Sequence, residues 1–295
     1  MMKNGTNNEM ILDGHIHILN HSEDRNGFLK ELGHAGINGG LVISLPPPAF
    51  PAVAPSAPPI DRMNNVLFWC NTADNLYPFY WVDPMEDDAV DQIAMAVDKG
   101  AMGFKIICDR YFPGDKRPME IFTTIAKTKR PILFHSGILW DGKPSSQYNL
   151  PLEFESLLEI NGLKFSLAHI SWPWCDELIA VYGKFLNAYA SNPDHSVEMF
   201  IDITPGTPPI YRREALTKLF TVGYDVENNV IFGTDCCTNP YNSEWTRQWI
   251  ERDKNIFHEL ELEKDTIDAI YAGNLKLFVG VSSCRISKRL PKPGQ

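Results

Sequence analysis

Eight short apolar, β-branched runs, spaced so that each can be a strand followed by a helix, constrain the fold of this chain more than any other feature. They read MILDGHIHI, GLVISL, PFYWVDP, MGFKII, PILFH, KFSLAHI, MFIDIT and VIFGTD. All are close to continuously apolar, the pattern of parallel strands covered on both faces. Helix-compatible stretches lie between them. EDDAVDQIAMAVDKG opens on acidic residues, repeats its apolar positions at spacings of three and four, and stops at Lys99 and Gly100. RPMEIFTTIAK, PLEFESLLEING, DELIAVYGKFLNAYA and RREALTKLFTVG read the same way. Eight such units in 295 residues predict an α/β chain folded as a single (β/α)8 TIM barrel over residues 1–295. An open, doubly wound sheet is the competing arrangement. No GxGxxG follows the first run and no GxxxxGKS/T occurs, which weakens the nucleotide-binding version of that alternative.

One segment breaks the rhythm. Residues 46–59, PPPAFPAVAPSAPP, hold seven prolines, which exclude both a helix and a central strand. In a barrel this segment is an extended loop on the catalytic face, either a stiff wall or lid of the pocket or a solvated connector. The tail over 282–295 is basic and Pro-rich and reads as peripheral.

Charge and composition narrow the partners. Lys plus Arg number 27 against 37 Asp plus Glu, a formal net charge of −10, which argues against nucleic acid and anionic membranes and for a small-molecule substrate. The N-terminal MMKNGTNNEM lacks the apolar core of a signal peptide, and no run reaches the length of a membrane span, so the chain reads as cytoplasmic. The six cysteines show no CxxC spacing, so neither a disulfide framework nor a cysteine zinc module is expected. The composition is compatible with a lone chain or a homo-oligomer.

The first run carries two histidines one residue apart. With period-2 alternation, Asp13, His15 and His17 share one face of the strand. The plain alternative is a histidine pair that ends a strand and hydrogen-bonds to loops. The chemical reading is a metal site, since neutral imidazole is a common ligand of zinc-like ions. The C-terminal ends of other runs add Lys105, His135, His169 and Asp235, and in a parallel barrel all these ends meet at one face. Four of the eight histidines are thereby brought together, while His21, His34, His195 and His258 fall in loops or helices. Three imidazoles and a carboxylate suit zinc, with manganese a second candidate, and leave a position for water. Asp235 is then placed to accept the proton of that water, and His169 to polarise the substrate oxygen or pass a proton to the leaving group.

DGHIH, GFK, PILFHSG, SLAHIS, IFGTD and the late YAGNLKLF resemble the amidohydrolase superfamily, in its amidohydrolase-related branch of metal-dependent hydrolases and decarboxylases. The likeness spans nearly the whole chain. It implies His15, His17, His135 and Asp235 around a catalytic metal, with His169 as a nearby catalytic or second-metal residue. Lys105 is a fork. In the binuclear members that the chain resembles, a carboxylated lysine here bridges two ions held also by the strand-five and strand-six histidines; in mononuclear members the strand-five histidine joins the first ion. A lysine here equally suits a substrate carboxylate or a structural ion pair.

Arg110, Tyr111, Trp140, Trp172, Trp174 and Tyr241 follow the strand ends and are candidate substrate contacts, or covers of the barrel mouth. Loop aromatics suit a flat or partly apolar substrate, and Arg110 an anionic group. Asp13 suits orienting a ligand or loop, and Cys236 and Cys237 suit packing. The leading expectation is a metal-dependent hydrolase of a small amide, ester or lactone. A metal-dependent non-oxidative decarboxylase of an aromatic or unsaturated acid is the second, and a silent ligand-binding barrel the third.

Overall fold

The computed structural model describes residues 9–51, 53–71, 73–192 and 196–286. His195 and the tail beyond residue 286 lie outside the described residues. The eight apolar runs all form parallel strands: β1 (Asp13–His17), β2 (Gly40–Ile43), β3 (Leu76–Trp81), β4 (Gly103–Ile106), β5 (Ile132–Phe134), β6 (Lys164–Leu167), β7 (Glu198–Asp202), and β8 (Val230–Ile231) with β9 (Cys236–Cys237). Their order in the sheet is β8-β7-β6-β5-β4-β3-β2-β1-β9. Strand β8 opens the last run and β9 directly follows its final residue, Asp235, so one segment borders both edges. Ile16 pairs with Cys236 and His17 with Cys237, while Gly14 N–H donates to the Phe232 carbonyl at 2.9 Å. The result is a closed (β/α)8 barrel.

Helices α1 (Arg25–Ala35), α2 (Pro59–Cys70), α3 (Ala89–Asp98), α4 (Lys116–Lys127), α5 (Cys175–Ser191), α6 (Pro209–Thr221) and α7 (Ser243–Glu259) surround it. Their starts follow from local chemistry. The Asp24 carboxylate accepts from Gly27 N–H at 2.9 Å and the Asn242 side chain from Trp245 N–H at 3.0 Å. Pro59 and Pro209 occupy first-turn positions where their missing N–H costs nothing. After β5 the expected helix over PLEFESLLEING is instead a 3-10 run, Pro151–Glu159. Ile160 N–H donates to the Leu157 carbonyl, three residues back, as in the tighter helix.

The chain ends by closing the lower, N-terminal mouth of the barrel. Helices α8 (Lys264–Asp268) and α9 (Asn274–Val279) follow α7. Phe278 of α9 packs on Phe79 and Phe200, with ring centroids 6.1 Å and 5.2 Å apart. Leu12, Leu41, Leu133 and Ile231 complete this inner apolar layer. Among the described residues no helix is long and apolar enough to cross a membrane.

Strand β1 departs from simple alternation. Asp13 pairs with Gly40 but Ile16 with Val42, three residues against two, which is a β-bulge and shifts the side-chain phase. Asp13 therefore does not share a face with His15 and His17. Its carboxylate accepts from the Tyr241 hydroxyl at 2.8 Å, and Tyr241 packs edge-on against Phe28 of α1, in the layer between barrel and helices.

Candidate metal centre and active-site cavity

The upper ends of the strands bring polar side chains together at the floor of a cavity of about 290 Å³. His15 is fully buried beneath it. Its Nδ1 lies 2.7 Å from Asp202 Oδ2 at the end of β7. A carboxylate accepts, so Nδ1 carries the hydrogen and Nε2 presents its lone pair inward. Asp202 is itself held by the Thr204 N–H at 2.6 Å. His15 Nε2 then lies 3.1 Å from His17 Nε2, with Asp235 Oδ1 3.4 Å from His17 Nε2 and 3.8 Å from His15 Nε2. The ligand atoms of His15, His17 and Asp235 all fall within 4.8 Å of one another, the one such metal-ligating group among the described residues. The donor set fits a divalent ion of the zinc class: two lone pairs and a carboxylate oxygen converge. The buried Nδ1 atoms of His17 and His169 have no partner.

Backbone conformation aims two of these groups. His169, at the end of β6, and Asp235, between β8 and β9, both adopt left-handed φ, +61° and +60°, which non-glycine residues rarely do and which costs free energy stored at the site. Gly233 has the opposite role, since a Cβ there would sit 2.2 Å from Thr204 Oγ1. Only glycine lets the last strand pass that close.

Burial sets the protonation of the floor. It pushes the His15, His135 and His169 imidazoles below their ordinary values, with the Lys105 charge adding to the effect on each. Burial likewise brings the Lys105 ammonium down to about 8, against the pull of Asp202 and Asp235. For Asp235, burial works upward but is outweighed by the His17 hydrogen bond and the charge of His15 and His169, which hold the carboxyl well below its usual range. Asp13 is pushed up to about 7 by burial despite accepting from Thr234 N–H and hydroxyl, His15 N–H and Tyr241. Asp235 is thus ionised, the form that ligates a cation.

Of the residues expected from the sequence, His17, Lys105, His135, His169, Asp235, Trp140 and Trp172 line the cavity. Lys105 Nζ lies 3.4 Å from His15 Nε2. His135 is not part of the converging group. Its Nε2 faces the Ile138 carbonyl at 3.2 Å, and its ring sits 5.0 Å from that of His169. Arg110, Tyr111, Trp174 and Tyr241 are not on the lining. Arg110 is held at 2.6 Å by both Asp83 and Asp109, and the buried Tyr111 hydroxyl donates to the Ile107 carbonyl. Cys236 is buried in β9, and burial raises its thiol to about 11, as expected of a packing residue. His21, His34 and His258 are exposed.

Two contributors were not singled out from the sequence. Asp202 carries a signal of the same kind as the others, an acidic residue closing an apolar run, MFIDIT. Phe50 belongs to the Pro-rich loop. It is buried against Trp81 at 5.0 Å between centroids and, with Val53, lines the cavity, so this loop contributes wall to the site.

No curated protein matches the sequence significantly. Solved structures with the same fold include a probable 2-pyrone-4,6-dicarboxylic acid hydrolase from Acinetobacter baumannii, TM-score 0.59 and 12% identity over 92% of this chain and 99% of the other. A 2,6-dihydroxybenzoate decarboxylase from Rhizobium gives TM-score 0.58 and 14% identity over 92% and 98%. A dihydroorotase from Campylobacter jejuni gives 0.57 and 13% over 92% and 84%. The amidohydrolase family model matches residues 13–275, nearly the whole barrel, from the strand that carries His15 and His17 to beyond Asp235. The chain belongs to the amidohydrolase family, and it is an enzyme of that metal-dependent superfamily acting on small molecules.

Proposed function

We propose that the chain hydrolyses a small amide, ester or lactone with a divalent ion, zinc or manganese, held by His15, His17 and Asp235. The observation that carries this reading is the convergence of those three side chains beneath a cavity into which the Asp235 side chain is 41% exposed. When bound, the ion supplies Lewis acidity and makes hydroxide available near neutral pH. The remaining work belongs to the chain. Asp235 accepts the proton lost by water as it adds to the carbonyl carbon. His169, on the same cavity wall, polarises the carbonyl oxygen or hands the proton to the departing nitrogen or oxygen as its bond to carbon breaks. His135, Lys105 and His169 adjoin the first group and are the residues that would take a second ion or a substrate oxygen. Asp202 keeps His15 in the tautomer that ligates.

Turnover of a neutral ester by metal-loaded Asp235→Asn tests the reading. Loss of activity with an unchanged melting temperature of the metal-free protein is expected; wild-type activity contradicts it. Non-oxidative decarboxylation of an aromatic or unsaturated acid is the second reading, favoured by the Lys105 ammonium at the floor, a partner for a carboxylate. There the bond to the carboxyl carbon breaks and a proton takes its place, so carbon dioxide release without water consumption separates the two.

A further inference from the structure

Asp13 lies outside the metal-ligating group, yet it bonds to the chain beside two of its members, on the first strand and the last. Its Oδ1 accepts from the His15 N–H at 3.0 Å and from the Thr234 N–H at 2.9 Å. Its Oδ2 accepts from the Thr234 hydroxyl and from the Tyr241 hydroxyl at 2.8 Å. Asp13, His15 and Thr234 are all fully buried. One of the two amides belongs to a ligand residue, and the other to the residue immediately before Asp235. Both stand where the seam of the barrel is irregular. The Gly14 N–H donates to the Phe232 carbonyl on one side of them and the Asp235 N–H to the His15 carbonyl on the other, while Asp235 turns through left-handed φ between β8 and β9. Buried amides at such a turn need an acceptor, and the β1 bulge is what takes the Asp13 side chain off the histidine face to supply one. Helix α7 and the turn before it anchor the arrangement: Trp245 Nε1–H donates to the Thr234 carbonyl at 3.2 Å, and the Thr246 hydroxyl to the Tyr241 oxygen at 3.2 Å.

Resting on the reading that His15, His17 and Asp235 hold an ion, we infer that Asp13 is a positioning residue: its carboxylate sets the spacing of His15 from Asp235 by holding the amides beside both, without touching ion or substrate. That spacing is 3.8 Å between His15 Nε2 and Asp235 Oδ1. A carboxylate suits the task because it accepts only, and its two oxygens serve all four donors. Asparagine keeps an oxygen for the two amides and turns its NH2 toward two hydroxyls, each of which has a lone pair to accept. Alanine leaves both amides buried without this acceptor, so the turn that carries Asp235 shifts against β1 to satisfy them.

The test measures zinc affinity by competition with a chelator in the parent, Asp13→Ala, Asp13→Asn, Tyr241→Phe and Phe200→Ala, beside the metal-free melting temperature and the visible spectrum of the cobalt-loaded protein. Phe200→Ala controls for stability lost away from the centre. Asp13→Ala is expected to bind zinc about 10–100-fold more weakly, as for loss of an outer partner of a metal ligand, with a changed cobalt spectrum. Asp13→Asn should recover most of that affinity, and Phe200→Ala should keep the parental affinity despite its lower melting temperature. Tyr241→Phe removes one donor and leaves both amides bonded; a severalfold weakening is expected, and this variant decides the matter if Asp13→Ala does not fold. Parental affinity and spectrum in Asp13→Ala, or parental affinity in Tyr241→Phe where Asp13→Ala fails to fold, would overturn the inference and leave the metal reading standing. Equal weakening in Phe200→Ala and Asp13→Ala, or no recovery in Asp13→Asn, would overturn it as well. A parent that binds no zinc would remove the metal reading and the inference together.

Discussion

The two ends of one barrel interior are built from the same strands and do opposite things. At the lower end Leu12, Leu133, Phe200 and Ile231 meet Phe278 in an apolar layer. Two to four residues further along the same segments stand His15, His135, Asp202 and, past Ile231, Asp235. The lower layer is stabilised by removal of carbon from water, which needs no orientation beyond packing. The upper end costs stability: it buries His15, Lys105 and Asp202 and places His169 and Asp235 in left-handed backbone. The difference teaches that position along a strand, more than residue neighbourhood in sequence, separates fold from chemistry in this molecule.

Substitutions at the two ends should therefore separate cleanly, and four of them probe the division in descending order of effect. Asp235→Asn is expected to lower kcat/KM by about 1,000-fold or more, in the range for loss of a proton-transferring group that also ligates, while the melting temperature of the metal-free protein barely moves. Phe200→Ala should do the reverse. Opening a cavity between β7 and α9 is expected to cost about 3–5 kcal/mol of stability in denaturant unfolding, with per-molecule activity retained in the folded fraction. Asp202→Asn removes the charge behind His15 Nδ1 and is expected to weaken metal affinity by about 10–100-fold in competition with a chelator. An affinity unchanged in this variant would mean that Asp202 belongs with the packing below it and not with the centre above. Ile231→Val, at the boundary between the ends, is the smallest, about 1 kcal/mol in stability and no change in metal content. Activity lost in Phe200→Ala or Ile231→Val without unfolding would dissolve the division altogether.

Much of this was legible in the sequence because buried parallel strands read as nearly unbroken apolar runs, and a polar residue that ends such a run stands out. His15, His17, His135, His169 and Asp235 were visible for that reason, and all lie at the floor. What escaped depended on phase or on distant partners. The β1 bulge displaced Asp13 from the histidine face, and alternation counted along one strand cannot register an extra residue against its neighbour. Arg110 looked available for an anion, but Asp83, 27 positions away in the chain, claims it. Asp202 looked like one more acidic residue until the barrel brought it 2.7 Å from His15, across 187 residues. The Pro-rich loop announced its stiffness, and only the packing of Phe50 on Trp81 shows which of its side chains turns inward.

The claim on which everything above the apolar layer depends is that His15, His17 and Asp235 hold an ion. Elemental analysis of protein purified without chelator, set beside the His17→Ala variant, tests it directly. About one equivalent of zinc or manganese per chain, falling toward zero in the variant, is the predicted result. A second equivalent would add an ion at His135, His169 and Lys105. Protein that stays metal-free after supplementation, or a variant that binds as much metal as the parent, would contradict the account.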